Sequence, residues 1–357
     1  MLLELLLVLA GLYLAWTLGA NDATNIVSMA VGSKTISLRK AMIFFILCLG
    51  VGVVFLSGNI IETVSSDIVS PRLITMGHAT IALLVAASWV HFATWKGWPV
   101  SISQSVVSAV MGIGLMESWK AGVLLLHWQK ISILAGVWLI SPLLGFLGGW
   151  LLFKIVHRFV RHRHLYFSDT LRDLVMRPFR TIKEWIAGDL RQRERLFKGG
   201  LVLSAGYMAV ALGANTVGST TGLIYSGFRG HDSVLGVSLE NGNLLLAMKL
   251  MVLVAVVLGM VTFGQHLVDF IGTRLVELNA LRGAAIQVTS ASVVLVAALM
   301  GYPISTTGVF VGAFLGVDSG EDHPRMKKHA AHSLKMAFLV TIPVTAFLAG
   351  GLTWVLI

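Results

Sequence analysis

Seven stretches of this chain are apolar for close to the twenty residues that a helix needs to cross a bilayer: 2–18, 41–57, 73–95, 131–156, 243–262, 284–302 and 334–357. Nothing else constrains the fold as strongly. Charged residues make up 12% of the 357, about half the roughly 25% usual for soluble domains. That is too few to cover a soluble globule of this size. Cys48 is the only cysteine, which excludes a disulfide scaffold, and apolar runs that recur from end to end exclude disorder. A net charge of +10 is compatible with nucleic-acid binding. In a membrane protein, however, basic residues mark cytoplasmic loops, and no nucleic-acid partner is expected. The chain reads as an all-α polytopic membrane protein.

Between the long runs lie shorter apolar pieces interrupted by polar residues, glycine or proline: 20–31, 99–116, 199–217 and 303–317. They read as half-helices or re-entrant segments, which are tolerated at membrane depth only where protein or a wet cavity covers them. The expected total is roughly ten to twelve membrane segments. The first run has no basic stretch ahead of it and carries Glu4, so it reads as a permanent span rather than a cleaved signal. The ten Trp, mostly near segment ends, read as interface anchors.

The stretch 154–198 differs in kind. It holds twelve Lys or Arg against five acids, a net +7 of the chain's +10. It reads as a cytoplasmic linker with short amphipathic helices between a first membrane half, 1–153, and a second, 199–357. Its His157, His162 and His164 have no Cys or acid to complete a metal-ligand set, and read as lipid-headgroup contacts.

The two halves match in order. Gly19-Ala20-Asn21-Asp22 pairs with Gly213-Ala214-Asn215-Thr216, and Gly97-Trp98-Pro99-Val100-Ser101 pairs with Gly301-Tyr302-Pro303-Ile304-Ser305. A small-residue helix follows each Pro-x-Ser, and Pro142 and Pro343 each sit in a final span. Loop charge gives the sense of the repeat. Lys34, Arg39 and Lys40 follow the first motif with no acid among them, whereas Arg229 and Asp232 cancel in the matching loop. The loop after the second Pro-Ser element carries Arg325, Lys327, Lys328 and Lys335, and its first-half counterpart is nearly neutral. Opposite loops are therefore basic in the two halves, as inverted topology requires, and inverted repeats typify secondary transporters. Both chain ends then lie outside and the linker inside.

The polar motifs suggest a chemistry. An intramembrane acid is expensive, so Asp22 should face a cation, a proton path or a partner. With Asn21 and Asn25 it would offer hard oxygen ligands suited to sodium, and it could instead carry a proton. The plainer alternative is a helix cap near Ala23, but capping needs one such residue and three are present. At 99–105 and 303–308 a proline precedes polar side chains in what would be a first helical turn: the Ser101 and Ser103 hydroxyls with the Gln104 amide in one copy, the Ser305, Thr306 and Thr307 hydroxyls in the other. Free N–H groups and the positive dipole end make such a turn an anion site, and two meeting at the midplane would replace the water shell of a tetrahedral oxyanion. Ordinary Ser/Thr capping is the competing reading. Glu62, Asp269, Glu240, Asn241 and Asn243 are weaker signals, and His78 and His91 read as hydrogen-bonded core residues.

These residues resemble the PiT family of inorganic phosphate transporters. The likeness runs through GANDATNIVSMAVGSKTISLRKA at 19–41, GNIIETV at 58–64, GWPVS at 97–101 and HWQKISILAGVWLISPLLG at 127–145. It continues in GQHLVDFIGTRLVEL at 264–278, GYPISTTGVFVGAFLGV at 301–317 and SLKMAFLVTIPVTAFLAG at 333–350. The resemblance implies two inverted repeats, an oxyanion held between re-entrant tips with cations beside it, a homodimer and an elevator-like movement. It places Asn21, Asp22 and Asn25 in the first signature, with Asn25 among the substrate-binding residues, and Ser101, Ser103, Ser305, Thr306 and Thr307 in the tips. Asn215, Thr216, Ser219 and Gln287 fall at the positions expected to complete the cation-coupling side.

Several positions depart from the family pattern. Ile102 replaces a Thr, Gln104 and Gly308 stand where the family has His, Thr216 replaces an Asp, Ser219 an Asn and Gln287 a Glu, while Leu49 sits where a Glu is common. Fewer acceptors would suit sulfate, which carries no proton, better than phosphate, which does. The expected activity is symport of a tetrahedral oxyanion, phosphate first and sulfate as the alternative, coupled to sodium or protons, in a prokaryotic inner membrane. A channel is the main rival class. No enzyme motif is present.

Overall fold

A computed structural model describes residues 1–23, 36–70, 73–96, 98, 100–160, 190–228, 233–234, 237–238, 243–262, 280–320 and 340–357. Asn25, His162, His164, Asp269, Glu240, Asn241, Pro99 and most of the basic linker lie outside them. The regular structure of the described chain is helical apart from a two-residue pairing of Ser233–Val234 with Val237–Ser238 and an isolated bridge between Val69 and Leu126.

Twelve helices are described: α1 Leu2–Leu18, α2 Leu38–Val51, α3 Gly58–Glu62, α4 Met76–Trp95, α5 Ile102–Ala121, α6 Trp128–Val160, α7 Leu190–Leu212, α8 Gly218–Phe228, α9 Asn243–Thr262, α10 Ala280–Leu299, α11 Thr306–Ser319 and α12 Thr341–Leu356. Four wide π-type turns extend or join them: Gly19–Ala23, Gly52–Leu56, Thr63–Asp67 and Gly213–Val217. Such turns are rare and concentrate at functional sites. Two of them fall on the matched Gly-Ala-Asn motifs.

Seven helical runs are long and apolar enough to cross a membrane: Leu2–Asp22, Arg39–Leu56, Met76–Trp95, Trp128–Arg158, Phe197–Phe228, Leu244–Thr262 and Ala280–Leu299. Helix α5 adds twenty residues, and α11 and α12 are shorter apolar helices. The exposed side of α6, with Leu139, Ile140, Leu143, Leu144 and Leu147, is a surface that only lipid or another apolar face suits. Pro142 lies inside α6 and is accommodated without ending it.

One expectation is corrected. The piece 199–217 is no half-helix but part of a continuous 32-residue helical run, Phe197–Phe228. Its polar residues do not break the helix because they bond back to it. Ser219, Thr220 and Thr221 donate to the carbonyls of Asn215, Thr216 and Val217. Of the other short pieces, 20–31 lies outside the described residues beyond residue 23, 99–116 gives a helix of twenty residues rather than a half-helix, and 303–317 gives a short one. Helices α5 and α11 both begin deep in the core, at Ser101 and Ser305, each fully buried. At fourteen residues α11 is about 21 Å long, short of the roughly 30 Å hydrocarbon thickness.

The packing pairs one half with the other. The final helix of each half lies along the tip helix of the opposite half, α12 along α5 and α6 along α11. Across the halves α1 packs on α9 and α7 on α2, and within them α1 packs on α4 and α7 on the matching α10. The closest crossings use glycine. A Cβ on Gly19 would stand 1.9 Å from the Val256 carbonyl oxygen of α9, and one on Gly52 2.0 Å from the Val210 oxygen of α7. Backbone cannot yield as a side chain does, so Gly19→Ala must push α1 from α9. The expected loss is about 1–3 kcal/mol of stability, checked as a lower thermal midpoint of the detergent-solubilised protein. An unchanged midpoint would mean that the crossing is looser than it looks.

Candidate anion-binding site

Ser101 and Ser305 start the two tip helices in the same way. Ser101 Oγ accepts from the Gln104 N–H at 3.3 Å, and Ser305 Oγ accepts from the Gly308 N–H at 2.9 Å. The capping alternative therefore holds for these two hydroxyl oxygens. The first helical bonds run from Ser105 N to Ser101 O and from Val309 N to Ser305 O. This leaves the N–H groups of residues 102, 103, 306 and 307 with no acceptor inside their helices. Both N-termini also carry the positive ends of their helix dipoles into a buried region.

The tips are tied to each other. Thr307 Oγ1 donates to the Val100 carbonyl at 3.3 Å, across from one tip to the other. Asn215, in the wide turn Gly213–Val217, spans both. Its Nδ2 donates to Ser103 Oγ at 3.3 Å and to the Ile304 carbonyl at 2.9 Å, and its Oδ1 accepts from the Ile304 N–H at 3.1 Å. The matched Asn21 makes a different bond, donating to Thr94 Oγ1 at 2.7 Å.

Asp22 sits in the first wide turn, 4% exposed. Its Oδ2 accepts from Thr306 Oγ1 at 3.0 Å, and its Oδ1 has no hydrogen-bond partner among the described residues. A carboxylate from the first half thus touches the first turn of the second-half tip. Gln104 is also fully buried, with neither its amide nitrogen nor its oxygen partnered among the described residues. Of the proposed residues, Asn21, Asp22, Ser101, Ser103, Gln104, Asn215, Thr216, Ser305, Thr306 and Thr307 all belong to the two tips, the two wide turns or both. Ser219 bonds its own helix. Gln287 on α10 accepts from Ser204 Oγ at 2.8 Å, which ties it to the α7–α10 contact. Among the described residues no group of three His, Cys, Asp or Glu gathers as a metal site.

Of the weaker signals, Glu62, His91 and His78 have described side chains. Glu62 is exposed. His91 Nδ1 is 2.7 Å from the Tyr13 hydroxyl and His78 Nδ1 is 2.9 Å from Thr75 Oγ1, so both are hydrogen-bonded as expected. Trp138 is an exception to the interface-anchor reading, 4% exposed with its Nε1 donating to the Pro303 carbonyl at 2.7 Å. Lys249, in the span Leu244–Thr262, is absent from the sequence-derived candidates, yet it is buried and donates to the Val54 carbonyl at 3.0 Å. Its place in an apolar run was the available signal.

Fold and geometry together define an integral membrane protein whose buried polar centre gathers two helix N-termini and one carboxylate. The chain matches the phosphate transporter family over residues 18–349 and belongs to it; it is a transporter and not an enzyme. It is 28% identical to a chain assigned as a phosphate permease in Thermococcus kodakarensis, over 98% of this chain and 96% of that one. It is also 28% identical to one so assigned in Helicobacter pylori, over 86% of this chain and 67% of the other. The solved structure of a protein described as "The sodium-dependent phosphate transporter" shares the fold, with a TM-score of 0.83 at 23% identity, covering 100% of this chain and 99% of the other.

Proposed function

We propose that this protein is a phosphate symporter that binds the anion between the tips of α5 and α11 and couples its movement to sodium through Asp22. The observation that carries this reading is the Asp22–Thr306 contact, with the second carboxylate oxygen unpartnered among the described residues. A bare carboxylate beside an oxyanion repels it. A cation on Oδ1 removes that repulsion, so anion and cation bind together, which is the thermodynamic content of coupling. Sodium suits hard oxygen ligands. The family likeness and the sodium dependence of the solved structural neighbour support the same choice. A proton on Asp22 is the alternative coupling ion.

Phosphate is favoured over sulfate by Gln104. Near neutrality phosphate keeps a proton and needs an acceptor as well as donors, and one buried amide supplies both. The two halves act as inverted repeats in this reading. The matched packing pairs support it, as does the loop-charge pattern. An elevator-like movement of the tips, a homodimer, an inner-membrane location, a cytoplasmic 154–198 linker and chain ends outside complete the proposal.

Proteoliposomes with an imposed sodium gradient test it. Labelled phosphate should accumulate, and excess unlabelled phosphate should block any sulfate uptake. Sulfate uptake indifferent to phosphate would overturn the phosphate reading. Gln104→Leu should lower phosphate uptake about tenfold and shift selectivity towards sulfate. Equal loss for both anions would remove Gln104 from discrimination.

A further inference from the structure

The segment that feeds α11 runs from the end of α10, at the exposed Leu299 and Met300, to the buried Ser305, and carries a row of backbone carbonyl oxygens up to the tip. A carbonyl carries partial negative charge and repels an oxyanion, so an anion site built on a helix N-terminus needs these oxygens turned away. Four of them are held by side chains from four different elements. Asn59 Nδ2 in α3 donates to the Leu299 carbonyl, Thr63 Oγ1 to Gly301 at 2.7 Å, Trp138 Nε1 in α6 to Pro303 at 2.7 Å and Asn215 Nδ2 to Ile304 at 2.9 Å. The carbonyls of residues 296, 297 and 298 are taken by the chain itself, from Met300, Tyr302 and Gly301. Gly301 turns the chain here at φ +73°, a conformation that side chains other than glycine's resist, and Thr63 Oγ1 stands 3.1 Å from where a Cβ would be.

We infer that Thr63 and Trp138 are positioning residues for the anion: by fixing the Gly301 and Pro303 carbonyls they point the α11 first turn, donors foremost, at the substrate. Neither residue needs to touch the anion. Both are buried, Thr63 at 2% and Trp138 at 4% exposure, so neither bond competes with bulk water. Both donors come from the first half and act on the tip of the second. The tip is therefore held by a collar that no local sequence signal announces. This inference rests on the proposed anion site.

The test measures uptake KM, maximal rate and thermal midpoint for Thr63→Val, Thr63→Ser and Trp138→Phe, with phosphate and with sulfate. Ser305→Ala serves as a control at the tip. Thr63→Val and Trp138→Phe should each raise KM for the transported anion about three- to twenty-fold, with the maximal rate within about twofold, since the donors act on binding geometry. Thr63→Ser, which keeps the hydroxyl, should restore KM. A lower thermal midpoint with unchanged KM in both Thr63→Val and Trp138→Phe would show that the two residues only brace the fold. That result, with Ser305→Ala raising KM, would overturn this inference and leave the anion site standing. Trp138→Phe decides alone if Thr63→Val does not fold. Absence of uptake of either anion by the wild type would overturn both.

Discussion

Asp22→Asn is expected to abolish the sodium dependence of phosphate uptake and to lower uptake under a sodium gradient on the order of 100-fold. The substitution is nearly isosteric. An Asn oxygen can still accept from Thr306 Oγ1, so the tie seen at 3.0 Å between the first-half turn and the second-half tip need not break. What disappears is the negative charge. A cation held by Oδ1 would lose its one formal countercharge at this point, and hydrogen bonds or contacts to charged groups are the strong ones in a buried setting. The complementary variant is Thr306→Val, which removes the tie and keeps the charge. It should weaken anion binding while leaving the response to sodium in place. The two variants therefore separate coupling from positioning. Uptake by Asp22→Asn that keeps its full sodium dependence would place the coupling ion elsewhere.

The spans were legible because a membrane run of apolar residues has few other interpretations. The tip helices were legible for a related reason, since Pro-x-Ser ahead of small residues marks a helix start, and both starts fall at the serine. Asp22 stood out because an acid inside an apolar run needs a reason to be there. The failure at 199–217 is equally physical. Gly-Ala-Asn-Thr looks like a break, but hydroxyls three and four residues on return their bonds to the helix backbone. The collar around residues 299–304 was illegible in principle. Thr63 and Trp138 reach carbonyls 238 and 165 residues away in the chain, and a carbonyl has no residue type to recognise. The conspicuous residue there is Glu62, the charged neighbour of Thr63, and it is exposed.

The matched Gly-Ala-Asn motifs in the sequence pair Asn21 with Asn215, and the structure separates them. Asn215 grips Ile304 by both backbone groups and reaches Ser103 as well, whereas Asn21 donates to one threonine hydroxyl. Asn215→Leu keeps the branched heavy-atom shape of the side chain and removes the bonds to Ser103 and Ile304. It strands the Ile304 N–H and carbonyl in a place where Ile304 is fully buried. Interhelical hydrogen bonds in membranes average about 0.6 kcal/mol, with about 1.7 kcal/mol at the upper end, so three together come to roughly 2–5 kcal/mol. Unmade partners in a buried site push towards the upper end. That is a large share of a typical stability of about 5–15 kcal/mol. Asn215→Leu should therefore lower the thermal midpoint and reduce uptake on the order of 100-fold, because the α11 tip loses its link to Ser103 in the α5 tip. Asn21→Leu, with one bond to lose among the described residues, should cost less in both measurements. Equal losses at the two positions would mean that Asn215 clamps nothing that Asn21 does not, and the asymmetry between the two turns would carry no function.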